Sequence, residues 1–297
     1  HPSAGIELFI GQPAGQPHKE TLATIIDEPD LPRAEYGAWA AQTARDLGID
    51  LIVASTRRHA LAEAQNLLPC PLVLPTSAFV VDLLDDKLAF AEAMADTPWH
   101  IPTTSYANVE SFETAYDAFR EQNPGLDACI KPRRGVNGHG FWHLDPAASE
   151  AAHMIDPDRR CITPAMYAVN IAAQNSIDEQ VLMPFLPGLE CSVDILAWHG
   201  KGLRAAARTK LARDRQRVET NHPLVPVALD LATRFNLHGV VNAQFRADAA
   251  GNWKLLEINS RPAGGSVIAE YAGGQILTDW LRLLAGHQDV DDVLRHP

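Results

Sequence analysis

Asn242 to Gly265 reads NAQFRADAAGNWKLLEINSRPAGG, and the fold turns on this stretch. Val241, Ala243 and Phe245 alternate with Asn242, Gln244 and Arg246, Asp248 to Asn252 supplies turn chemistry, and Lys254 to Asn259 alternates again. The pattern predicts a β-hairpin. Side chains along a strand alternate faces, so Glu257 shares a face with Asn259, and Gln244 joins them if its strand faces the same way. Three oxygen donors then converge. Hard divalent cations such as Mg²⁺ take oxygen ligands, commonly one or two carboxylates with phosphate and water. Spacing alone fits equally a hairpin with a polar outer face. Arg261 adds a planar fork of donors suited to phosphate. Pro262 to Ser266 then leads into an expected helix start at Val267, an anion-binding end.

At these residues the chain resembles the ATP-grasp superfamily, in which one strand carries an E-x-N pair for Mg²⁺ and the neighbouring strand a third ligand. Glu257, Asn259 and Gln244 match those three positions. Glutamine at the third position is similar to the carbamoyl-phosphate synthetase large-subunit branch, and there is also a resemblance to the branch associated with tellurite-resistance operons. The resemblance implies one or two Mg²⁺ ions, with Mn²⁺ as a substitute.

At 297 residues the chain is long enough for two domains or one large composite one. A formal net charge of −12 argues against general nucleic-acid or anionic-membrane binding. No apolar run approaches the roughly 18 residues of a membrane span. The start, His1-Pro2-Ser3, reads as trimmed, without a signal peptide's regions. Cys70, Cys129, Cys161 and Cys191 are scattered without CxxC pairing, so reduced thiols in a cytoplasmic protein are expected.

Elsewhere the chain alternates between strand and helix patterns. Gly5 to Ile10 is an apolar run, Gly11 to Asp30 reads as loop despite the apolar patch at 22–26, and Tyr36 to Leu47 has helical spacing that stops at Gly48. Ile49 to Ala54, Arg57 to Leu68 and Leu72 to Leu74 read as strand, helix and strand, which implies parallel strands crossed by helices. The expected class is α/β: a Rossmann-like unit over residues 1–84, preceding an ATP-grasp body whose amino-terminal lobe covers 85–178 and whose carboxy-terminal lobe covers 179–297.

A helix is expected over Val80 to Met94, and an exposed helical lysine would account for Lys87. The resemblance instead places Lys87 near the nucleotide phosphates. Ala128 to Pro132 reads as a strand, followed by RRGVNGHGF at 133–141. Glycines at 135, 138 and 140 let backbone approach an anion closely, although a bare hairpin tip has the same composition. In ATP-grasp proteins such a loop closes over ATP, and Lys131 matches the strand lysine at its α/β-phosphates. The apolar run ending in Pro187-Gly188 is similar to the adenine hinge, with Met183, Pro184, Phe185 and Leu186 at the backbone positions and Glu190 at the ribose. From Arg204 to Arg217 six basic residues face one acid, Asp214. Arg208 and Lys210 are the candidates on this run for the transferred phosphoryl group, and Arg261 the third catalytic candidate. A helix is expected over His222 to Phe235, capped near Asn221.

The activity implied by the resemblance is ATP-dependent activation of a small carboxylate, such as an amino acid, as an acyl phosphate that an amine then captures. A carbamoyl-phosphate-type synthetase, a phosphotransferase and a non-catalytic ATP-binding regulator remain open. Expected partners are the carboxylate and amine substrates and, by resemblance, a second copy in a homodimer.

Overall fold

The computed structural model describes residues 5–17, 23–135, 138–149, 151, 155–156, 159–212 and 214–295. Two strands, β1 (Phe9–Pro13) and β2 (Thr24–Glu28), form a parallel pair. The loop expected over 11–30 is therefore corrected. Thr24, Ile25 and Ile26 are β-branched and fit a pleated backbone, and pairing with β1 outweighs the flanking glycines and prolines. Helix α1 (Arg33–Leu47) ends where Gly48 turns left-handed at φ 63°. Next come β3 (Ile52–Val53), α2 (Arg58–Glu63) and β4 (Leu72–Val73), with β3 and β4 parallel. The predicted crossover pattern thus appears as two separate two-stranded sheets.

The single helix expected over 80–94 is two, α3 (Ala78–Asp85) and α4 (Lys87–Ala93). Asp86 makes the break. It leaves helical backbone, and its carboxylate accepts from the Leu88 and Ala89 N–H groups as the cap of α4.

The amino-terminal lobe contains β5 (Thr104–Tyr106), α5 (Val109–Gln122), β6 (Ala128–Pro132), β7 (Trp142–Leu144), β8 (Cys161–Ile162), α6 (Pro164–Ala172) and β9 (Gln180–Pro184). Its sheet order is β5-β9-β6-β7-β8, closed on one side by Phe112 and Phe119 of α5 and Tyr167 of α6. Because β9 pairs with both β5 and β6, the change of sheet falls after Pro184.

The carboxy-terminal lobe is an antiparallel sheet in the order β12-β11-β10-β13-β14, made of β10 (Glu190–Trp198), β11 (Lys201–Ala212), β12 (Arg215–Glu219), β13 (Gly239–Ala247) and β14 (Trp253–Asn259). The helices are α7 (Leu224–Arg234), α8 (Ser266–Tyr271), α9 (Ile276–Leu284) and α10 (Val290–Arg295). One face, with Val193, Ile195, Val241, Ala243, Phe245 and Ile258, packs on α7 and on Leu84, Phe90 and Met94. The opposite face is closed at one end by Ala269, Ile276, Leu283 and Val293. That second face carries the polar residues singled out above. Helix α7 starts without the Asn221 cap, since His222 Nδ1 accepts from the Leu224 N–H at 3.2 Å instead. No helix among the described residues is long and apolar enough to cross a membrane.

Asp86 also ties α4 to the end of β6, accepting from Arg133 Nε at 2.8 and 2.9 Å and from Arg134 Nη2 at 3.2 Å. Burial opposes its charge, but hydrogen bonds from Arg133 and the Ala89 N–H, with the Arg133 and Arg134 charges, hold its carboxyl below the usual range. A depressed acid contributes stability above its unfolded pKa of about 4, and that contribution is lost as pH falls through the lower folded value. Asp86→Asn is therefore expected to lower stability at pH 7 and to flatten its decline below about pH 4. Urea midpoints across that range measure it, and parallel acid limbs would contradict it.

Candidate functional site

In the sheet register Gln244 stands directly opposite Glu257, and Asn242 opposite Asn259. The ladder continues to Ser192 and Arg208 in one row and to Asp194 and Ala206 in the next. Glu257, Asn259 and Gln244 thus share one face, as the alternation predicts. Asn259 Nδ2 donates to Glu257 Oε1 at 3.0 Å. Among the described residues no three His, Cys, Asp or Glu side chains converge as a metal cluster, so the oxygen set here is one carboxylate with amides. Such a set suits a hard cation that also takes phosphate oxygens.

Lys87 lies near both Glu257 and Lys131. Lys87, at the start of α4, donates to the Gly135 carbonyl at 3.0 Å. Its pKa is lowered, first by burial and also by Lys131, while the charge of Glu257 pulls the other way. Lys131 on β6 lies over the Phe141 ring at 5.8 Å. Lys87 is thus within electrostatic reach of both the Glu257 carboxylate and the Lys131 ammonium. Lys87→Met should weaken binding of ADP with Mg²⁺ about tenfold, or 1.4 kcal/mol. Because it removes a desolvated charge, the melting temperature without ligand should be unchanged or higher; unchanged nucleotide affinity would refute this placement.

The run expected to form the hinge, Met183 to Leu186, leads from the end of β9 into the connection to β10. Met183 and Leu186 are buried with Ile101, Cys129 and Val181, and Phe185 and Leu256 pack against that cluster. The Phe185 N–H donates to Asp127 O at 2.8 Å, which ties the hinge to the amino-terminal lobe. The Phe185 ring stacks on His143 at 3.8 Å and lies 5.9 Å from the Arg246 guanidinium. Pro184 ends β9, and Glu190 opens β10 with its carboxylate 3.9 Å from Arg246. Of the glycine-rich loop, Gly140 adopts φ 70° and lies against Pro132, and the Gly138 carbonyl accepts from Arg160. Val136 and Asn137 of that loop, and Arg213 of the basic run, lie outside the described residues.

Arg208 is placed differently from expectation. Its Nε donates to Asp194 Oδ2 at 2.6 Å, Nη2 to Asp194 Oδ1 at 3.3 Å and Nη1 to Gln216 at 3.0 Å. Asp194 is 0% exposed and Arg208 5%. A side chain at Gly265 would collide with the Arg208 guanidinium, so this glycine is required by close approach. Arg208 is thus a buried strut beneath α8, and a phosphoryl group could reach it only after rearrangement. Arg204 pairs with Asp279 at 2.8 Å, whereas Lys210 is exposed.

The helix start at α8 is also occupied. Ala263 N–H donates to Ser266 Oγ, and Ser266 N–H to Ala263 O. Arg261 lines a small cavity with Ser55, Val73, His238 and Trp280, between the amino-terminal unit and the hairpin. Ser260 beside it accepts from Arg58 Nη1 at 2.7 Å, and Arg58 also pairs with Asp85 at 2.9 Å.

Asp194, Asn242 and Ser266 were not among the sequence candidates. Asp194 accepts from Asn242 Nδ2 at 2.8 Å and from Ser266 Oγ at 2.7 Å besides Arg208. The available signal was a lone acid inside the apolar run Val193–Leu196, which only a buried polar network accommodates.

Residues 176–296 match the protein family described as ATP-grasp in the biosynthetic pathway with Ter operon. No curated protein matches the chain. Among solved structures, the L-amino acid ligase from Bacillus licheniformis is 12% identical, with a TM-score of 0.62 over 95% of this chain and 69% of that one. The biotin carboxylase domain of 2-oxoglutarate carboxylase from Hydrogenobacter thermophilus, solved with MgADP, ADP and bicarbonate, is 17% identical, with a TM-score of 0.60 over 89% and 60%. The D-alanine-D-alanine ligase from Coxiella burnetii is 13% identical, with a TM-score of 0.57 over 83% and 70%. The chain thus spans about 60% of the length of the biotin carboxylase domain it matches. The chain shares the ATP-grasp fold of these structures. Its carboxy-terminal lobe carries the match to the Ter-associated group.

Proposed function

We propose that this chain is an ATP- and Mg²⁺-dependent ligase that activates a small carboxylate, an amino acid in the first instance, as an acyl phosphate for capture by an amine. The observation that carries the reading is the placement of Glu257, Gln244 and Asn259 on one face of the sheet, with Lys87, which donates to the Gly135 carbonyl of the glycine-rich loop, within electrostatic reach of Glu257. The amino-acid ligases that share the fold support the substrate class.

Met183 to Leu186 form the adenine hinge, and Glu190 holds the ribose. Lys131 and Lys87 bind the phosphate chain, and the loop carrying Gly135, Gly138 and Gly140 covers it. Glu257, Asn259 and Gln244 would hold a divalent cation, which would supply positive charge against the negative charge developing on the transferred phosphoryl group. Arg261, at the cavity shared with the amino-terminal unit, orients the carboxylate of the substrate. One carboxylate oxygen attacks the γ-phosphorus, the bond from phosphorus to the bridging oxygen breaks, and ADP leaves. The amine nitrogen then attacks the acyl carbon, phosphate departs with that carboxylate oxygen, and the amine proton is released. An acyl phosphate hydrolyses when wetted, so closure of the glycine-rich loop serves to exclude water.

Hydroxylamine, which intercepts acyl phosphates as hydroxamates, tests the reading across a panel of amino acids and other small carboxylates with ATP and Mg²⁺. Hydroxamate from one acid supports it. Nucleotide-induced thermal stabilisation with no hydroxamate from any acid would instead favour a nucleotide-binding regulator.

A further inference from the structure

Asn242 is 0% exposed, and its two amide atoms are treated unequally. Nδ2 donates to Asp194, a carboxylate that also accepts from Arg208 and Ser266, so the amide cannot turn its oxygen there without facing another acceptor. Asn242 Oδ1 is left buried with no donor among the described residues. A buried acceptor without a partner costs roughly 1–3 kcal/mol. Directly across the ladder is Asn259, whose Nδ2 is used on Glu257.

This inference rests on the cation site proposed above. If Glu257 and Asn259 both give oxygen to one cation, Asn259 Nδ2 must let go of Glu257, because the Asn259 amide has to present Oδ1 where it now presents a donor. The released N–H then needs an acceptor, and the orphaned oxygen opposite is one. We infer that Asn242 is a positioning residue: its oxygen receives Asn259 Nδ2 when the site is loaded and so fixes Asn259 Oδ1 toward the cation.

The test is a double-mutant cycle read by Mn²⁺ titration with ADP present, using electron paramagnetic resonance of free Mn²⁺, together with melting curves without metal. Asn242→Ala is expected to weaken Mn²⁺ binding about tenfold in the natural chain. In an Asn259→Asp background it should have little effect, because a carboxylate at 259 has no N–H to place. Asn242→Ser, which keeps a hydroxyl donor for Asp194 but removes the amide oxygen, is used in the same way if the alanine variant folds poorly. An equal loss in both backgrounds, or no loss in the natural chain, would overturn the assignment. Failure of the natural chain to bind Mn²⁺ with ADP at all would overturn the proposed cation site and this inference with it.

Discussion

Glu257→Gln is expected to lower Mg²⁺-dependent phosphate release from ATP roughly a thousandfold while the protein remains folded. The substitution keeps size and an oxygen but removes the only full negative charge in the candidate set. Even with screening equivalent to a dielectric of about 20, unit charges 4 Å apart interact by about 4 kcal/mol, and a divalent ion doubles that. The unloaded fold tolerates the change because glutamine still accepts from Asn259 Nδ2, the contact that Glu257 makes. Lys87 loses the attraction of Glu257, which is secondary to burial in setting its state. Turnover measured beside a melting curve separates the effects. Near-normal phosphate release in a folded Glu257→Gln protein would refute the metal assignment.

Asp194→Ala is expected to be the most destabilising of the substitutions considered. It strands the Arg208 guanidinium at 5% exposure and removes the acceptor of Asn242 and Ser266. Breaking one side of a buried pair costs about 3–5 kcal/mol. At about 2–4 °C per kcal/mol, the melting temperature should fall by roughly 10 °C. If desolvation of an unpaired charge is the cause, Asp194→Leu with Arg208→Met should recover much of the loss, since an apolar pair leaves no charge stranded. A double variant no more stable than Asp194→Ala would show that the hydrogen bonds to Asn242 and Ser266, and not the unpaired charge, dominate.

The hairpin at 242–259 was legible because alternation fixes which side chains share a face, and a face is all that the Glu257, Asn259 and Gln244 grouping requires. The strand β9 was legible for a similar reason, as an apolar run stopped by Pro187-Gly188. What local pattern could not reveal was partnership. Arg208 and Lys210 have the same parity on β11 and read alike, yet one is buried on Asp194 and the other is exposed. That difference comes from Asp194 on the neighbouring strand and from Gly265 far along the chain, neither of which periodicity links to Arg208. The break at Asp86 was missed because the apolar spacing of 80–94 continues through it. Asp86 caps α4 locally and is also held by Arg133 and Arg134, which follow β6 and which no local pattern links to it. The β1 and β2 pair was missed because a short strand among glycines and prolines depends on its partner.

The measurement that bears most directly on the proposed chemistry follows oxygen. Amino acids labelled with ¹⁸O in the carboxylate are incubated with ATP, Mg²⁺ and an amine pool, and the released phosphate is analysed by mass. Attack of the carboxylate on the γ-phosphorus, followed by capture of the acyl carbon, predicts one ¹⁸O atom in each phosphate formed with the productive acid. Phosphate that is released but carries no label would mean that water attacks the γ-phosphorus, and would contradict the ligase account.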